Sequence, residues 1–88
     1  MTKYEMVKVE WVDAQTGFGE LQMVEEFKQK IEPFVSLSCG YLLEDNKDYI
    51  IVGFLLMDKE VTKETGVKYW QLIPKRMIKK TQTNEDRI

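Results

Sequence analysis

The chain has 88 residues, with 13 Lys and Arg against 15 Asp and Glu, a net charge of −2, one cysteine and no histidine. That length holds a single domain with a marginal core; one cysteine excludes an internal disulfide, and the lack of histidine removes the usual zinc site. Oligomerisation is the supplement left open, and 43% hydrophobic with 32% charged residues argues for a folded, soluble chain.

Residues 6–12 alternate, with Val7, Val9 and Trp11 on one side and Lys8 and Glu10 on the other. This is the period of a half-buried strand, and it puts Trp11 in the core. Two glycines and several small polar residues mark 13–19 as a loop. From 20 to 31 the period becomes helical, since Leu21, Val24, Phe27 and Ile31 form a stripe while Glu25, Glu26, Lys28 and Lys30 fill the other side. Glu20 near the start and the lysines near the end suit the helix dipole, and Pro33 cannot continue the helix. The sheet is expected to cover that stripe, so that the helix closes one end of a barrel or packs at a subunit contact.

A second strand follows over 34–44, in which Gly40 marks a bend or bulge and Cys39 reads as a small buried apolar group. After a polar turn at 45–48, the third strand, 49–57, is apolar on both faces, more than a chain of this size can cover from within. A charged connection over 58–66 leads to a fourth strand at 67–73, and Pro74 interrupts it because proline has no amide to donate. Residues 74–77 fit a single 3₁₀ turn, and 78–82 a short fifth strand. The reading is a mainly β fold, a small five-stranded barrel over 1–83 with one short amphipathic helix between the first and second strands, and a polar tail at 84–88. No apolar run approaches the roughly 20 residues of a membrane-spanning helix, so no membrane is expected. The opening residues do not form a secretion signal, which makes a reducing cytoplasm the default compartment.

Five strands with a helical turn between the last two resemble the layout of Sm-like and Src-homology-3-like barrels. At the level of residues, Val7-Lys-Val-Glu-Trp-Val-Asp13, Cys39-Gly-Tyr-Leu-Leu-Glu-Asp45 and Tyr69-Trp-Gln-Leu-Ile-Pro-Lys-Arg-Met-Ile-Lys79 resemble a group of short uncharacterised bacteriophage proteins. The phage group implies a host-cell cytoplasm and no assigned role. Sm-like proteins form rings and bind RNA, through an Asp-x-hydrophobic-Asn signature in one loop and a glycine-containing basic stretch in another. Here the first loop is Asp45-Asn-Lys-Asp-Tyr49, without that spacing, and Ile73-Pro-Lys-Arg-Met-Ile78 keeps the base and flanking isoleucines without the glycine.

Two candidate surfaces follow. Lys75, Arg76, Lys79 and Lys80 lie in a stretch, 68–80, that contains no acid, and they read either as a phosphate-contacting edge or as lysines protecting an edge strand. An overall acidic chain fits the second reading better. Trp70 with Phe54 and Leu56 reads as a protein interface; Trp70 is exposed if the Tyr69 and Ile73 side of its strand faces the core, and a wholly buried Trp70 is the equal alternative. Nothing points to an enzyme, a cofactor or a metal site: Cys39 has no histidine to act as base, and Glu25–Glu26 and Glu44–Asp45 sit where carboxylates are solvated. The expectation is a non-enzymatic homo-oligomer acting as a protein–protein adaptor, with an Sm-like binder of single-stranded RNA or DNA as the alternative.

Overall fold

Seven elements follow one another in a computed structural model that describes residues 4–17 and 19–83. They are β1 (Met6–Val12), α1 (Val24–Lys30), β2 (Val35–Asp45), β3 (Tyr49–Asp58), β4 (Thr65–Pro74), a 3₁₀ turn (Lys75–Met77) and β5 (Ile78–Thr83). The strands form one antiparallel sheet in the order β4-β3-β2-β1-β5. The expected tail at 84–88 lies outside the described residues.

The sheet curls because its two edge strands are consecutive in sequence. Laid flat, β4 and β5 would stand about 19 Å apart. The connection through Lys75–Met77 spans about 13 Å at most. No ladder joins β4 to β5 among the described residues, so the sheet is curled and open along that side.

β2 is where the curl is made. Its residues from Val35 to Tyr41 pair with β1, and those from Tyr41 to Asp45 pair with β3. A Cβ on Gly40 would fall 2.6 Å from the carbonyl oxygen of Gly53 and 2.8 Å from Val52 Cγ1, so only glycine lets the strands approach this closely at the bend. A register shift between Leu42 and Glu44 adds twist just beyond it.

Inside the curl lie Val7, Val9 and Trp11 from β1, Ile50 and Val52 from β3, and Ile73 from β4, with Leu42 and Ile78 packed against them. One polar chain crosses this core. Trp11 Nε1 donates to Ser38 Oγ at 3.0 Å, and Ser38 Oγ donates to Gln71 Oε1 at 2.6 Å. It ties β1 and β2 to β4, which is no ladder neighbour of either.

The helix departs from expectation. It covers Val24–Lys30 instead of 20–31, its N-cap Met23 offers no side-chain hydrogen bond, and none of its residues is buried. A side-chain cap would satisfy an orphan amide of the first turn, and a methionine cannot supply one. The helix lies outside the body because the stem before it is fastened in line with the strands. The Asp13 amide donates to the Phe34 carbonyl at 3.3 Å, and Gln15 Nε2 donates to the Glu32 carbonyl at 2.8 Å. These bonds prolong the β1–β2 hairpin past its last strand pair, Val12 with Val35. The radius of gyration is accordingly 17.4 Å, against about 12 Å for a compact chain of this length.

Cys39 is a second correction, for it is exposed. Ser38 and Gly40 face the core, so strand alternation turns Cys39 outward, opposite Lys8.

Candidate interaction surface

The third strand is apolar on both faces because its two halves have different surroundings. Ile50 and Val52 are buried, while Phe54, Leu55 and Met57 are exposed. β2 turns away at Gly40, and the pairing of β3 with β2 ends at Gly53. From Phe54 to Asp58 the ladder partner is β4 alone, through Leu55–Lys68, Leu56–Val67, Met57–Gly66 and Asp58–Thr65. This stretch is a two-stranded ribbon leaving the sheet. At its tip the Lys59 amide donates to the Glu64 carbonyl at 2.7 Å, and Thr65 Oγ1 donates to Asp58 Oδ1 at 2.7 Å. A ribbon of two strands is marginal in water by itself, and this one leaves Phe54, Leu55 and Met57 about half exposed.

Trp70 is 59% exposed, and the buried Ile73 with half-buried Gln71 shows that the other side of β4 faces the core. Directly across from Trp70 is Gly53, which has no side chain to pack against it. The space above Gly53 is taken instead by Leu43 Cδ1 and Val67 Cγ2, which would stand 2.8 and 3.0 Å from a Cβ there. Phe54 is exposed and Leu56 half-buried; alternation along β3 sets both on the side away from Gly53. Phe54 and Leu56 therefore share one face of the ribbon, while Trp70 sits at its base on the other face. Tyr69, 68% exposed, lies between the Gly53–Trp70 and Leu55–Lys68 pairs with a left-handed φ of 58°. That conformation is costly for an aromatic residue and kinks β4 where the ribbon emerges. Strand periodicity cannot signal such a kink, which turns Tyr69 out from the side it was expected to share with Ile73; Leu55 and Leu72 join the exposed surface without having been singled out.

Lys75 and Arg76 in the 3₁₀ turn and Lys79 and Lys80 in β5 are all exposed at one corner. Acids from elsewhere in the chain reach that corner. Lys75 Nζ stands 2.6 Å from Asp45 Oδ1, the Lys75 amide donates to the Asp48 carbonyl, and Lys80 pairs across the ladder with Glu10. The absence of acid between 68 and 80 thus holds along the sequence and not in space. Among the described residues no three Cys, Asp or Glu side chains gather as a metal site would require, and no helix is long and apolar enough to cross a membrane.

No known family model matches the chain, and no curated protein and no solved structure shows significant similarity to it.

Proposed function

We propose that this chain is a non-enzymatic, self-associating adaptor with the layout of an Sm-like or Src-homology-3-like barrel, and that it takes a protein partner on the β3–β4 ribbon. The observation that carries the reading is the exposed aromatic pair at the base of that ribbon, Tyr69 and Trp70. Tryptophan and tyrosine concentrate where binding energy concentrates, because each removes a large rigid surface from water at small entropic cost. The sheet order and the single 3₁₀ turn between β4 and β5 support the barrel layout. The core supports self-association, since six buried apolar side chains among the described residues make a small core.

Light scattering coupled to size exclusion tests the self-association. At micromolar concentration the mass is expected to be a multiple of 10.4 kDa, and a monomer at every concentration overturns it. Titration with labelled single-stranded oligonucleotides at low salt tests the alternative. Tight binding that weakens steeply with salt and with Lys75→Ala plus Arg76→Ala would replace the adaptor reading with nucleic-acid recognition through Lys75, Arg76, Lys79 and Lys80.

A further inference from the structure

Besides the ribbon, the fold leaves two apolar surfaces exposed among the described residues. The first is the stripe of α1 and its approach, with Leu21, Val24, Phe27 and Ile31 all exposed. The second is the outer face of β2, where Val35 and Leu37 are exposed and Leu37 is 66% open to solvent. An amphipathic helix with charged flanks and an apolar strip of sheet bordered by Glu10 and Lys8 of β1 are complementary in the ordinary sense of domain packing.

They cannot meet within one chain while the stem holds. Residues 31–34 leave the helix in an extended path, and the Asp13–Phe34 and Gln15–Glu32 hydrogen bonds keep them in line with the strands. The helix therefore starts about four residues, or roughly 13 Å, past the end of the sheet. To lie on its own β2 it would have to break those bonds.

We propose that α1 of one copy packs on the outer β2 face of a second copy, and reciprocally, in a twofold dimer. Two chains running antiparallel along β2 bring each projecting helix over the other's Val35 and Leu37. Seven helical residues span about 10 Å, against about 13 Å from Val35 to Cys39 along the strand. The contact is isologous and closes on itself, so it ends at two copies and leaves the β3–β4 ribbons free for another partner. From their exposures, the two surfaces with Phe34 between them can bury at most on the order of 700 Å² of apolar side chain per chain, against the ~800 Å² each partner gives to a standard interface.

This inference rests on the self-association proposed above, and its test separates the two. Cys39, the only cysteine, is exposed on the β2 face in question. The variant Phe27→Cys places a second thiol on the helix stripe. Mild oxidation at micromolar concentration is expected to give a covalent dimer whose peptide map joins residue 27 of one copy to Cys39 of the other. A link within one chain, a Cys39–Cys39 link, or no link overturns the arrangement. Leu37→Glu and Val24→Glu are each expected to weaken the dimer tenfold or more while circular dichroism keeps the β signal, as loss of a central apolar contact should. Association unchanged by either substitution overturns the helix-on-sheet contact even where light scattering shows an oligomer.

Discussion

Ser38 Oγ lies 2.6 Å from Gln71 Oε1, although β2 and β4 are separated in the sheet by β3. The same hydroxyl accepts from Trp11 Nε1, so one small side chain joins β1 to the edge strand β4 through a site only 8% exposed. Ser38→Ala removes both partners at once and strands the indole N–H in an apolar core. The expected cost is about 1–3 kcal/mol. For a domain of this length each kcal/mol lowers Tm by roughly 4–8 °C. Urea and thermal unfolding measure it; a variant as stable as the parent would mean that the chain contributes nothing to closing the curl.

Three glycines of the sheet should respond to a methyl group in a fixed order. At Gly40 the new Cβ meets a backbone carbonyl and Val52 inside the curl, and neither can withdraw. At Gly53 the nearest atom is the end of the Leu43 side chain, which can shift by a rotamer change, and at Gly66 the nearest atom is 3.7 Å away. Gly40→Ala is therefore expected to lose about 3 kcal/mol or fail to fold, and Gly53→Ala about 1 kcal/mol. Gly66→Ala should be neutral or stabilising by a few tenths. Any other ranking of unfolding midpoints contradicts the close approach of β2 to β3.

Local signals in the sequence were enough for the strands and for the bend. Val7, Val9 and Trp11 announce a core face by alternation alone, Gly40 announces the bend by lacking a side chain, and Pro74 the break before the 3₁₀ turn. What alternation cannot say is which of two apolar faces finds a cover. Cys39 was expected inside as a small residue in mid-strand, and it is outside because Ser38 takes the core position to bond Trp11. The helix stripe was expected to be covered because a stripe implies a partner. Its own sheet does not cover it because of the stem bonds at Asp13 and Gln15, which join residues some twenty positions apart. The basic corner likewise looked free of acid, until the fold brought Asp45 to Lys75.

That ion pair should matter little for stability. Both side chains are substantially exposed, 40% for Lys75 and 50% for Asp45, and such pairs contribute well under about 1 kcal/mol. Lys75→Ala is expected to leave the unfolding midpoint almost unchanged at 0.15 M salt. A loss above about 1 kcal/mol would show that the pair fastens the 3₁₀ turn to the 45–48 turn, giving the basic corner a structural task.

The two tryptophans report on separate surfaces, which makes the choice of self-contact readable by fluorescence. Trp11 is buried at 9% exposure and Trp70 open at 59%. In the single chain, acrylamide should quench the Trp70 contribution readily and leave a blue-shifted, protected component that persists in Trp70→Phe and disappears in Trp11→Phe. If copies associate through α1 and the β2 face, Trp70 lies outside the contact, and its quenching constant should be the same above and below the dissociation constant of the dimer. A Trp70 signal that becomes protected as concentration rises would move the self-contact to the β3–β4 ribbon. In that case Trp70→Ser, expected otherwise to change stability by no more than about 0.5 kcal/mol as a surface substitution, would abolish association instead.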